Sequence, residues 1–107
     1  MSNNKRIFGE GVQLLDVGFK NYILCDRIIA IQEVTSLPVR RMRDRAVQDN
    51  MLVDASAGRR ERSIIVMDSG HIVVSSLGSG TLQERLKNVF LQDELARHEL
   101  VEGEFVS

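Results

Sequence analysis

The chain has a single cysteine, Cys25, a single proline, Pro38, no tryptophan and one tyrosine. One cysteine excludes an internal disulfide framework and points to a reducing, cytoplasmic setting. It also excludes cysteine-based zinc spacings, and the two histidines, His71 and His98, sit in no metal-ligand pattern of their own. Aromatics at 5% leave no stacking platform for single-stranded nucleic acid. No apolar run approaches the roughly 20 residues of a membrane helix, and the opening MSNNKRIFGEG has no apolar segment of signal-peptide length. No helix-turn-helix pattern is present. Nucleophile, base and metal ligands do not assemble, so no catalytic residue, metal or cofactor is expected. Gly78-Ser79-Gly80-Thr81 lacks the lysine of a phosphate-binding loop and reads equally well as a plain loop before a capped helix.

What is present suffices for one folded domain. The 107 residues are 43% hydrophobic, enough to bury a core without metals or disulfides. A net charge of −1 hides an asymmetry: residues 1–91 balance to +3 and residues 92–107 to −4. Eleven of the 14 basic residues are arginine, whose planar fork suits phosphate better than the point charge of lysine. The chain divides into a polar N-terminal arm over 1–11, a domain over 12–91 and an acidic tail over 92–107.

Periodicity predicts short strands around 12–17, 22–24, 28–31 and 52–55, with Gly18 and Asn21 bracketing a turn and Asp26-Arg27 at a break. Ser36 and Pro38 open a helix over about 38–50 whose stripe contains Val39, Met42 and Ala46, with Val47 and Met51 beside it. Ile64–Met67 and Ile72–Ser76 flank Asp68-Ser69-Gly70 as a hairpin. Thr81 and Glu84 form a capping box for a second helix, from about 82 to at least 91, with Leu82, Leu86, Val89 and Phe90 inward. The result is an α+β fold with a mostly antiparallel sheet and two helices.

Arg59, Arg60 and Arg62 share one Gly-hinged loop. Three guanidinium groups within four residues repel one another unless an anion or a carboxylate compensates. The loop therefore reads either as a polyanion-binding surface or as a solvated turn in which Glu61 offsets part of the charge. If nucleic acid is bound, phosphate contacts from loops onto a duplex are the expected mode.

Several segments resemble the RemA family, the bacterial extracellular-matrix regulatory proteins: residues 15–21, Arg27-Ile28-Ile29-Ala30-Ile31, Pro38-Val39-Arg40-Arg41-Met42, the stretch 51–62 ending Gly58-Arg59-Arg60-Glu61-Arg62, Ile64-Ile65-Val66-Met67-Asp68-Ser69 and Ile72-Val73-Val74-Ser75. The likeness covers about 13–86. It implies a DNA-binding transcriptional regulator that activates biofilm-matrix and osmoprotection genes, with a fold similar to the LytTR DNA-binding domain. It also implies a closed homo-oligomeric ring, typically octameric, around which double-stranded DNA wraps. The family's DNA-contacting arginines fall on Arg59 and Arg60, Arg27 matches another functional arginine, and Arg62 is expected to support them. Glu61 departs from the neutral residue common in relatives, and the arm and tail are longer than in the shortest ones. The alternative is a structural or protein-interaction ring whose arginines meet an acidic partner protein.

Overall fold

β5 (Ser63–Met67) and β6 (Ile72–Ser75) are apolar on both faces, which demands a cover on each side of the sheet they form. They pair antiparallel, Ile64 opposite Val74 and Ile65 opposite Val73. The computed structural model describes residues 12–106, with side chains as far as Leu95; the arm over 1–11 lies outside the described residues. Around this pair a four-stranded sheet runs in the order β3-β5-β6-β4, with β3 at Ile28–Glu33 and β4 at Leu52–Asp54.

The alternation of side chains assigns each face its cover. Ile64, Ile72 and Val74 pack with Val39 and Ala46 of α1 (Leu37–Gln48). Ile65 and Val73 pack on the other side with Leu15, Val17, Cys25 and Leu82, which come from the β1–β2 ribbon, its flanking residues and α2 (Ser79–Val106). That ribbon joins β1 (Leu14–Asp16) to β2 (Tyr22–Leu24) in antiparallel register through a turn at Gly18–Asn21, where Asn21 Nδ2 donates to the Gly18 carbonyl. A single 3₁₀ turn, Cys25–Arg27, leads into β3.

The α+β architecture with two helices is as expected, but the main sheet is mixed. β4 lies parallel to β6. Hairpins dominate the local sequence signals, yet β3, α1 and β4 form a crossover: α1 carries the chain across one face, from one edge strand to the other, and such a connection delivers β4 in the same direction as β3. No described helix is long and apolar enough to cross a membrane.

Both helices depart in detail from the periodicity reading. Ser36 caps α1 as expected, its Oγ accepting from Val39 N at 3.4 Å. The buried stripe is narrower than predicted: Val39 and Ala46 are buried, whereas Met42 and Val47 are 38% and 47% exposed at its flanks. α2 starts at Ser79, ahead of the predicted Thr81 box. Its first amide is taken from outside the helix, Ser79 N donating to Glu33 Oε1 at 2.6 Å. A carboxylate from β3 thus sits where a phosphate cradle would need its anion. Phe90 is half exposed, since its direction on the helix lies about 80° from that of buried Leu82.

Candidate nucleic-acid interface

The arginine loop joins the end of β4 to the start of β5, and both of its ends are fixed. Asp54 Oδ1 accepts from Ser56 N at 2.9 Å and from Ser56 Oγ at 2.6 Å. These bonds hold the Asp54 carboxyl below its ordinary range, with a smaller pull from Arg43. Arg59 N donates to the Ser56 carbonyl, closing a tight turn through Ala57 and Gly58, both left-handed at φ 55° and 75°. Glycine takes that conformation freely, and nothing lies within 4 Å of where a Gly58 Cβ would be, so the requirement is on the backbone and not on space. At the far end Arg62 N donates to the Ser75 carbonyl and the Arg62 carbonyl accepts from Val34 N, stitching the loop to the sheet.

Arg59, Arg60 and Arg62 are all exposed. The Arg59 guanidinium lies 4.9 Å from the centroid of the Phe19 ring, a cation–π contact that orients it without neutralising it. Phe19 is itself left-handed, at φ 53°, on the β1–β2 turn.

Glu61 does not offset the loop charge. Its carboxylate is gripped from α1 by Arg43, Nε to Oε1 at 2.8 Å and Nη2 to Oε2 at 2.6 Å. Bidentate, charge-assisted pairs of this kind are the strong class of hydrogen bond. Both side chains are about 70% covered, and the contact with Glu61, followed by a smaller one with Asp44, makes the Arg43 guanidinium still harder to deprotonate. Arg43 is the residue that sequence reading missed, and the signal was present. Val39, Arg43 and Ala46 stand at i, i+4 and i+7, so the middle of the inward stripe is an arginine in need of a partner.

Arg27 stands elsewhere. The register places Glu33 opposite Ser63 and Ile28 opposite Met67, so Arg27 and Arg62 lie beyond opposite ends of β5, about 13 Å of strand apart or more. Arg27 Nη1 donates to Asp68 Oδ2 at 2.8 Å, and Asp68 N donates to the Arg27 carbonyl at 2.8 Å. Asp68, expected as a turn residue, is also the counterion of Arg27 and strengthens its hold on its proton. The structure thus brings Arg59, Arg60 and Arg62 together and leaves Arg27 apart from them.

The remaining candidates for chemistry are accounted for locally. His71 Nδ1 lies 2.7 Å from Ser69 Oγ in the β5–β6 turn. Cys25 is buried, and burial followed by the neighbouring Asp26 pushes its thiol pKa up, which suppresses the reactive thiolate. The His98 side chain lies outside the described residues.

A regulatory protein candidate of Desulfotalea psychrophila is 43% identical over 76 residues, 71% of this chain and 68% of its own length. Similarly named proteins of Oleidesulfovibrio alaskensis and Thermotoga petrophila are 42% and 41% identical over 82 and 81 residues, covering 93% and 88% of their own lengths. The family model described as "RemA-like: Extracellular matrix regulatory protein A-like" matches residues 14–86, from the first strand to the second turn of α2. The chain therefore belongs to the RemA-like family.

Proposed function

We propose that the chain is a DNA-binding transcriptional regulator acting as a homo-oligomeric ring. It contacts the phosphates of double-stranded DNA through Arg59 and Arg60, with Arg62 and Arg27 in support. In line with the family resemblance, the ring is an octamer in the cytoplasm and activates biofilm-matrix and osmoprotection genes. No catalysis is involved.

The observation that carries the reading is the state of the arginine loop. Three exposed guanidinium groups share one short segment, and the only carboxylate within that segment is held by Arg43. Such a loop keeps its positive potential for an outside anion. One subunit still offers few phosphate contacts. A ring repeats them at fixed spacing, and linked contacts multiply through effective concentration. The distance of Arg27 from the loop fits the same picture, because a duplex running across several subunits can meet both ends of a sheet. Wrapping costs several kcal/mol of DNA deformation, which the repeated arginines must offset.

Light scattering on the purified protein, with and without a promoter-length duplex, tests this. The expected mass is about eight subunits, rising with duplex at low salt and falling back as salt is added. A surface neutralising about six phosphates loses on the order of a thousandfold in affinity between 50 and 200 mM salt. A ring that ignores DNA overturns the reading in favour of a scaffold whose arginines bind an acidic protein.

A further inference from the structure

The Arg43–Glu61 pair has a second side. Between α1 and the arginine loop lies a polar groove of about 510 Å³, lined by Glu33, Arg40, Asp44, Arg60, Glu61 and Arg62 among others. Its charges are not equally available. Each carboxylate is already engaged: Glu33 by Ser79 N at 2.6 Å, Asp44 by Arg43 Nη1 at 3.3 Å, and Glu61 by both ends of the Arg43 fork.

The cations are not engaged in the same way. Arg40 spends only its Nε, donating to the Val34 carbonyl at 3.1 Å. The amide of the same residue, Val34 N, donates to the Arg62 carbonyl at 3.0 Å. Val34 therefore pins the Arg40 guanidinium beside the backbone of Arg62, with both Arg40 Nη groups left over. Neither Arg60 nor Arg62 has a side-chain hydrogen bond or ion pair among the described residues. Three guanidinium groups from two elements thus line one groove; Asp44 and Glu61 are committed to Arg43, while Glu33, bonded to Ser79 N, keeps an electrostatic pull on Arg62.

We propose that this groove seats a backbone phosphate of the bound DNA, with Arg40 joining Arg60 and Arg62 as a contact residue, and that Arg43 keeps the seat open by holding Glu61. The proposal rests on the DNA-binding reading above and deepens it. It adds α1 to the contact surface and gives Arg43 the role of a positioning residue. Without Arg43, the Glu61 carboxylate would be free to turn toward Arg60 or Arg62 and compete with the phosphate.

The test titrates the full chain, in its native assembly, with a labelled duplex at several salt concentrations. Arg40→Gln is expected to weaken binding about fivefold and to lower the slope of log affinity against log salt by about one for each phosphate lost. Arg43→Met is expected to weaken binding at least as much, and Arg43→Met/Glu61→Gln to regain most of it. Rescue of affinity without an accompanying rise in melting temperature is what a purely structural role for Arg43 would not produce, since Glu61→Gln also relieves a covered, unpaired carboxylate. Arg40 is exposed, so its variant stays folded and carries the test alone if Arg43→Met melts early. Unchanged slope and affinity for Arg40→Gln, in a protein whose Arg60→Ala variant no longer binds, overturns the groove and leaves the reading intact. A wild-type protein that binds no duplex overturns both. Protection from heating by inorganic pyrophosphate that Arg40→Gln abolishes, with duplex binding unchanged, reassigns the groove to a free phosphate ligand and overturns its assignment to DNA.

Discussion

The two ends of the central sheet solve the same electrostatic problem in opposite ways. Each end carries arginine near a carboxylate in space. Beyond one end of β5, Asp68 binds Arg27 itself. Beyond the other, Glu61 sits between Arg60 and Arg62 and yet binds Arg43, 18 residues away on α1. The first end is internally neutralised and the second is left charged. The number of charges on a loop therefore says little about its appetite for an anion. What decides it is which cation holds the nearby carboxylate.

That contrast can be broken at several points. Arg60→Ala should have the largest effect, a loss of duplex affinity of a hundredfold or more, about 2.7 kcal/mol, with melting temperature and assembly unchanged. A folded, oligomeric variant that binds normally removes Arg60 from the interface. Arg27→Ala should cost less, about fivefold, because a phosphate there must displace or share Asp68, and an exposed, solvent-screened pair of this type is weak. Asp68→Asn should run the other way and tighten binding about twofold. If both changes weaken binding equally, the pair acts as a unit and the two ends are not opposites. Phe19→Ala removes the ring under Arg59 and, at ~0.5–1 kcal/mol for an exposed cation–π contact, should weaken binding two- to fivefold, again read by duplex titration.

Acid should produce the smallest effect. Hydrogen bonds from Ser79 lower the Glu33 pKa, and those from Ser56 lower that of Asp54. A carboxyl whose folded pKa is depressed stabilises fully above its unfolded value, about 4. That contribution is lost as pH falls through the lower folded value. Both groups sit at the arginine end, one at the end of β3 against the first turn of α2 and one at the root of the loop. Melting curves from pH 6 to pH 3 should therefore decline, and Glu33→Gln should make the decline shallower. An identical slope in that variant would remove Glu33 from the account.

Much of the fold was legible in residue order. The Ser36 cap, the β5–β6 hairpin with its Asp68-Ser69-Gly70 turn, the ribbon turn at Gly18–Asn21 and the break at Asp26-Arg27 are all local signals, and each appears where it was expected. What was not legible depends on partners distant in sequence. The parallel pairing of β4 with β6 follows from where α1 delivers the chain. The start of α2 depends on Glu33, 46 residues earlier. In the candidate interface the three loop arginines were visible as a cluster, but Phe19 under Arg59 and Arg43 on Glu61 were not, because neither is a neighbour in sequence. The arginine inside the Val39–Ala46 stripe is the one written clue, and a charged residue leaves no mark in an apolar periodicity.

The direction of α2 has a further consequence. The helix begins at the arginine end, where Glu33 meets Ser79, and lies along the ribbon, where Arg85 meets Asp16 at 3.3 Å. At 1.5 Å per residue, Asp93 and Glu94 stand about 21 Å along its axis from Ser79, and the sequence grows more acidic from there. The described charges are therefore unequal along the chain, with guanidinium groups at the loop and Asp93 and Glu94 toward the far part of α2. In the field of a polyanion a single chain so charged, outside any ring, feels a torque before it feels a contact, and it approaches loop first. Orientation of this kind raises the association rate more than it slows release, and it fades steeply as ionic strength rises.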